Sequence, residues 1–295
     1  MSFTIGGKNG SNYAATVPYS EDLKTNSKGY VGFTFYVNTI QMADMITATL
    51  NYGDGQTLVK TYSVKEYFEA FDAAYEAHPE LYTPEITALI KATADLGHYM
   101  QPYLETRGNW SVANGDHAEM DVVYEQSIGN YLDDTTAAVA EHALNVATDG
   151  DISEFKKVNY TVNFESKMSI NVIVQMKTTF SGTPMATASY EDDNGVTQNV
   201  DCTVTPQTAT KFLIGIPNIQ AHQLSRVFEI AISTEKGTLM LTGSGLSYAQ
   251  MILAGANGNN VTQNAAIALY RYSQAADVVK GNPSDVNKTN GNSNN

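Results

Sequence analysis

The spacing of apolar and polar positions changes period several times along the chain. Residues 30–37, Tyr-Val-Gly-Phe-Thr-Phe-Tyr-Val, are aromatic and β-branched and fit a half-buried strand. Residues 46–52 alternate with period two, halt at Gly53-Asp54-Gly55 and resume over 57–62. That pattern predicts a β-hairpin, because a type I′ turn needs positive φ at both central positions and Asp-Gly supplies them. Ser63 stands three residues before Glu66, the spacing of a capping box, so a helix should open there with Val64, Tyr67, Phe68 and Phe71 on one face. A second helix should start at Thr83-Pro84-Glu85, with proline in the tolerated first turn and Ile86, Leu89, Ile90, Leu96 and Tyr99 at helical spacing. The two form an expected helical hairpin laid on the sheet. A short helical stretch over 135–144 follows.

From residue 158 the period returns to two. Strands are expected over 158–164, 169–177, 186–190, 196–204, 211–216 and 226–232, with Asn194-Gly195 marking another hairpin turn. Helices then follow over 246–253 and 265–279. The order of the first half has recurred. Residues 33–50 and 214–232 each hold a strand, a polar link and a second strand. Each is followed by a short hairpin, by Thr61-Tyr62-Ser63-Val64 or Gly245-Leu246-Ser247-Tyr248, and by two helices. This self-similarity predicts an α+β chain built from one sheet-plus-helices unit used twice. The expected division is 1–155, incomplete at its start, then 156–281, then a polar tail over 282–295.

Composition narrows the function. Asp and Glu outnumber Lys and Arg by 31 to 17 in 295 residues, a formal charge of -14, which repels nucleic acid and anionic lipid. Charged residues are only 16% of the chain, below the usual quarter or so, and Asn, Thr, Ser, Gln and 18 tyrosines carry the polar surface. This profile suits the outside of a cell. The single cysteine, Cys202, cannot pair within the chain, so no internal disulfide is expected. It reads as a small buried hydrophobe. No segment approaches a membrane span, and the first residues lack the basic and apolar regions of a signal peptide. The chain therefore reads as a piece of a longer exported protein, with residues 281–295 as a linker.

Chemical motifs are scarce. G-x-S-x-G, H-E-x-x-H, the phosphate-cradling loop and the dinucleotide fingerprint are all missing, so no catalytic residue and no cofactor is expected. His78, His98, His117, His142 and His222 share no metal-ligand spacing and read as surface or helix-end residues. The acidic runs at 149–151 and 191–195 lack the full calcium-loop series and read as solvated turns. Asp133-Asp134 would need a second carboxylate at a set distance to cleave a glycoside. Tyrosines carry more promise. Tyr75, Tyr82, Tyr99, Tyr103, Tyr124 and Tyr131 lie in or near the first helical region among Asn, Ser and acidic residues, the composition of protein-binding surfaces. Trp110, beside Asn109 and Ser111, either seals the helices onto the sheet or anchors a partner.

Several of these stretches are similar to a recurring module of large cell-surface proteins from gut Firmicutes. The carriers are Tyr52-Gly53-Asp54-Gly55, Thr61-Tyr62-Ser63-Val64-Lys65-Glu66-Tyr67, Leu89-Ile90-Lys91-Ala92 and Trp110-Ser111-Val112-Ala113-Asn114. In that module a Y-G-D-G hairpin precedes T-Y-S-V-x-D/E-Y, a long helix ending in Y-G-A-A-A-Q, and N-L-A-N-A. Leu96-Gly97-His98-Tyr99-Met100-Gln101 keeps only the Gly and Gln of the helix ending. In the second half the markers are Leu246-Ser247-Tyr248-Ala249 and Tyr272-Ser273-Gln274-Ala275-Ala276. The resemblance implies two related β-sandwich-like domains, each followed by a helical hairpin, in an exported, non-enzymatic, adhesin-like protein. The implied partner is a host protein, an immunoglobulin among the candidates; the aromatic content and scattered carboxylates keep a glycan-binding or glycan-cleaving domain as one alternative, and a passive stalk spacer is the other. Tyr75, Tyr82, Tyr99, Tyr103 and Trp110 are the expected contact residues.

Overall fold

The computed structural model describes residues 1–6, 12–20, 23–106, 117–164, 167–255 and 260–281. It is mixed α+β with several antiparallel sheets. The chain divides into two compact units, Met1–Glu125 and Gln126–Asn295. The division falls well before residue 155 because the strand at Asn145–Gly150 pairs within the second unit.

In the first unit β1 (Ser2–Gly6), β2 (Asn12–Thr16), β3 (Met45–Asn51) and β4 (Thr57–Tyr62) form an antiparallel sheet in the order β2-β1-β3-β4. β1 and β2 were not expected, since five residues each are too few to establish a period. The β3–β4 hairpin is as the alternation requires: Gln56 N–H donates to Gly53 O at 2.9 Å around Asp54 and Gly55, whose φ values of 47° and 73° are both positive. Residues 30–37 differ from expectation. Phe33, Phe35 and Val37 are half-buried and alternate with exposed neighbours, yet among the described residues the segment makes one isolated bridge, Val31 to Thr25, and no longer ladder. Alternation sets which side chains turn inward; a strand also needs a neighbour to bond.

α1 (Val64–Ala77) opens on the anticipated capping box. Ser63 Oγ accepts Glu66 N–H at 3.0 Å and Glu66 Oε2 accepts Ser63 N–H at 2.8 Å. After a 3-10 turn, Pro79–Leu81, α2 (Pro84–Glu105) begins with Thr83 as its cap. The two helices do not blanket the sheet, for β4 is exposed at every residue. Their inner faces meet residues 42–43 and 118–124 instead, where Ala43, Phe68, Ala94 and Met120 form a core flanked by Met42, Val64, Ile90 and Val122. Gln101, buried on α2, ties this layer together. Its amide donates to Ile40 O at 2.9 Å and Ala118 O at 2.8 Å and accepts Met120 N–H at 2.8 Å.

The second unit starts with a 3-10 turn, Ile128–Tyr131, and α3 (Leu132–Val139). Its strands are β5 (Asn145–Gly150), β6 (Phe155–Asn163), β7 (Met168–Met176), β8 (Met185–Glu191), β9 (Thr197–Val200), β10 (Thr203–Thr208), β11 (Lys211–Ile219), β12 (Phe228–Ser233) and β13 (Gly237–Gly243). α4 (Gly245–Leu253) and α5 (Asn260–Gly281) close it. One sheet runs β10-β11-β7-β6 and the other β5-β13-β12-β8-β9. Ile170, Val172 and Val174 of β7 stand opposite Ile216, Ile214 and Phe212 of β11, and all six are buried. Ile230 and Ile232 of β12 and Leu239 and Leu241 of β13 are likewise buried. Each such side chain contributes roughly 1.5–3 kcal/mol on leaving water. With one apolar face per sheet, the arrangement is compatible with a sandwich-like fold.

One expectation changes here and another holds. Residues 196–204 are not one strand. β9 pairs with β8 in one sheet, β10 pairs with β11 in the other, and Asp201-Cys202 carries the chain between them. The Asn194-Gly195 turn does join a hairpin, β8 to β9, with Gly195 at a positive φ of 76°. Asp192 shapes it by accepting the N–H groups of Asn194 and Val196 at 2.9 and 3.0 Å.

Candidate functional site

The outer end of the α1–α2 pair gathers an aromatic cluster around Phe71, Tyr75 and Tyr82. Val64, Phe68, Phe71 and Tyr75 recur at i, i+4, i+7 and i+11, so they line one stripe of α1. Phe68 and Phe71 fill the inner part. Tyr75 stacks on Phe71 with ring centroids 5.6 Å apart, at the half-buried edge of the stripe. The 3-10 turn returns the chain so that Tyr82 meets Phe71 edge-on at 5.1 Å and Tyr75 at 6.0 Å. From α2, Lys91 Nζ stands 5.7 Å from the centre of the Tyr75 ring and 5.3 Å from that of Tyr124, a cation between two π faces.

Buried Asp95 fixes Tyr124. Its Oδ1 accepts the backbone N–H groups of Tyr124 at 2.7 Å and Glu125 at 3.1 Å. The Tyr124 hydroxyl donates to Asp72 Oδ1 at 2.7 Å, and burial together with that carboxylate pushes its pKa well above the ordinary phenol value. Tyr67 is likewise raised, first by burial and then by the Tyr82 and Tyr62 hydroxyls. Tyr62, Tyr67 and Leu81 are about half exposed at 47, 47 and 53%. The result is a set of tyrosines whose ring positions are held by packing.

The five expected contact residues fare differently. Tyr75 and Tyr82 come together. Tyr99 is half-buried, edge-on to His98 at 4.8 Å, and its hydroxyl donates to Glu125 O at 2.6 Å, so it holds the 124–125 segment. Tyr103 is 2% exposed and belongs to the core, because its place on α2 faces inward; it offers no surface to a partner. Trp110 lies outside the described residues. Tyr67, placed by spacing on the inner face, borders it and is exposed. Its position at i+3 from Val64, off the 64-68-71-75 stripe, is the signal that would have found it. Tyr131 lies in the second unit, under the Arg271 guanidinium at 4.2 Å.

Other polar groups are mostly engaged. His98 and His117, distant in sequence, line one cavity of about 350 Å³. His117 is 8% exposed rather than a surface residue, with Nε2 2.9 Å from Glu105, and His98 Nδ1 is 2.7 Å from Met120 O. Among the described residues no group of three or more His, Cys, Asp or Glu converges on a metal position. The acidic turn at 191–195 is not simply solvated. Asp193 pairs with Arg226 at 3.1 Å and Lys280 at 3.2 Å, and those cations hold its carboxyl below the usual range. A cleft of about 480 Å³ at residues 176–185 and 233–236 is lined by hydroxyl side chains and Phe180, with the Lys236–Glu154 pair at 2.9 Å beside it. No helix among the described residues is long and apolar enough to cross a membrane. Comparison of the chain with protein-family models, curated proteins and solved structures finds no match.

Proposed function

We propose that this chain is a non-enzymatic binding module of an exported bacterial surface protein, adhesin-like, which grips a host protein through the tyrosine face of α1 and α2. The carrying observation is that Tyr67 of α1, Tyr62 at the end of β4 and Leu81 in the 3-10 turn are about half exposed, with half-buried Tyr75 and Tyr82 among them. Tyrosines with few rotatable bonds give contact area at low entropic cost, which is why they dominate protein-binding surfaces. An immunoglobulin is the first partner to test. Immobilised intact protein would be exposed to a panel of host secretory proteins, immunoglobulins included, and the retained protein titrated against Tyr75→Ala and Tyr82→Ala. A loss of about tenfold or more per anchor is expected. Retention of nothing, or retention unchanged in both variants, would sink the reading.

A second reading, glycan binding, is favoured by the cleft at 176–185 and 233–236, where neutral hydroxyls, one aromatic ring and an ion pair suit a polyhydroxylated ligand. A glycan array with Phe180→Ala as its control separates the two.

The units read as copies of one β-sandwich-like module. In each, a 3-10 turn, Thr39–Gln41 or Ala221–Gln223, precedes a hairpin, a helix with a capping box, and a helix of 22 residues. A matching bond also recurs: Lys65 N–H to Met42 O and Leu246 N–H to Leu224 O, both 2.9 Å.

A further inference from the structure

Two strands of similar sequence run straight into capped helices. Thr57-Leu58-Val59-Lys60-Thr61-Tyr62 of β4 leads to the Ser63 cap of α1, and Thr238-Leu239-Met240-Leu241-Thr242-Gly243 of β13 leads to the Ser244 cap of α4. Each strand pairs antiparallel with the strand before it. Their outer edges differ. β13 carries a second ladder, in which Thr238, Met240 and Thr242 stand opposite Asp149, Ala147 and Asn145 of β5. β4 ends its sheet and is exposed at every residue, Val59 at 52%.

Ladder parity fixes what the edge of β4 offers. Tyr52 N–H donates to Gln56 O at 3.3 Å, so counting in twos along the register makes Leu50–Leu58, Ala48–Lys60 and Ile46–Tyr62 the hydrogen-bonded pairs of β3 and β4. The N–H and C=O groups of Thr57, Val59 and Thr61 therefore point away from β3. Among the described residues nothing bonds them. The same count from Thr234 N–H to Gly237 O at 2.9 Å turns Thr238, Met240 and Thr242 toward β5. β5 thus covers on β13 the edge groups that match the outward ones of β4, and shows that a strand fits beside this strand-and-cap arrangement.

We propose that, whatever else the chain binds, two copies of it join edge to edge through β4, antiparallel about a two-fold axis at Val59, into one continuous sheet. The outward row Thr57, Val59, Thr61 reads the same in both directions, as a contact between identical surfaces requires. In this register Val59 meets Val59 of the second copy and Thr57 meets its Thr61, each pair exchanging both N–H···O bonds. Moving the axis to Leu58 strands Thr61. Moving it to Lys60 strands Thr57 and sets two lysines directly opposite each other, which is unfavourable. With the axis at Val59, Lys60 stands opposite Leu58 of the second copy, and its aliphatic stem covers that half-exposed side chain. An open, exposed edge strand is a ready template for such pairing, and the backbone groups supply the attraction.

Sedimentation equilibrium of the intact chain, from low micromolar to near-millimolar concentration, should show a monomer–dimer equilibrium that stops at two. Hydrogen exchange read by mass spectrometry with electron-transfer fragmentation should slow at least about tenfold at Val59 and Thr61 in the concentrated sample, and far less at Leu58 and Lys60, which already bond β3. Val59→Pro removes an edge N–H that the β3 ladder does not use, so it should abolish the dimer, and retained protection of Leu58 and Lys60 would show that it folds. Val59→Lys keeps every backbone group but sets like charges opposite each other on the axis, and should weaken dimerisation about tenfold at low salt. A chain that stays monomeric over the whole range, a dimer whose Val59 and Thr61 amides exchange as in the monomer, a dimer that survives Val59→Pro, undiminished dimerisation of Val59→Lys, or growth past two would each overturn the proposal.

Discussion

Gln101 offers the sharpest test of how the first unit is held. Its amide, 5% exposed, makes three hydrogen bonds to backbone groups of two different segments, Ile40 O, Ala118 O and Met120 N–H. Gln101→Met keeps the length of the side chain but leaves Ile40 O and Met120 N–H buried without this partner, while part-buried Ala118 O keeps only His117 Nδ1 at 3.3 Å. Each stranded group costs about 1–3 kcal/mol. Allowing for partial relaxation and water entry, we expect a loss of about 3–5 kcal/mol, which is severe for one substitution. For a unit of this size that is a fall of about 10–20 °C in Tm. Scanning calorimetry of the intact chain should show it in the transition that accompanies loss of Met120 amide protection. Gln101→Glu sharpens the reasoning. Its carboxylate still accepts from Met120 N–H but turns its other oxygen toward two carbonyls, so protonation is favoured in the folded state. A carboxyl with its pKa raised on folding gives stability that is full below its unfolded value, about 4.3, and is lost as pH rises. Gln101→Glu should therefore approach wild type at pH 4 and fall away by pH 7, while Gln101→Met lags at both. A Gln101→Met protein within about 1 kcal/mol of wild type, with Met120 still protected, would refute the reasoning.

Three further outcomes follow from the same geometry. Ser63→Ala should cost about 1 kcal/mol through loss of a capping box, and Ser244→Ala more, because fully buried Ser244 also bonds His142 at 3.2 Å; chemical denaturation checks the order. Tyr124 has a pKa raised on folding, so its stability term is present below the ordinary phenol value and lost as pH rises. Alkaline unfolding of wild type should therefore be steeper than that of Tyr124→Phe, as circular dichroism across pH 8–12 would show. Cys202 is half-buried, and burial and Asp201 push its thiol pKa up, so alkylation at pH 7.5 should be at least about tenfold slower in the folded protein than in denaturant.

Much of this architecture was legible because its causes are local. The Ser63 and Thr83 caps, the Asp54-Gly55 turn and the apolar periods of β6, β7, β11 and β12 each rest on a few adjacent residues. Where the reading failed, the deciding partner was remote. Residues 30–37 have the composition of a strand and, among the described residues, make one isolated bridge. Tyr103 has the composition of a binding residue and points inward. Residues 196–204 alternate without a break, yet Asp201-Cys202 carries them from one sheet to the other. The candidate site was half legible. Tyr75 and Tyr82 were named from composition, but Lys91 between two rings and the exposure of Tyr67 required the helix pair.

The sequence by itself determined the period, caps and turns of the elements, and the acidic, charge-poor, tyrosine-rich surface, because these depend on neighbouring residues and totals. Only the tertiary structure decided which elements found partners. Strand pairing and burial are set by residues far apart in the chain, and no local pattern records whether the second half of a ladder is present.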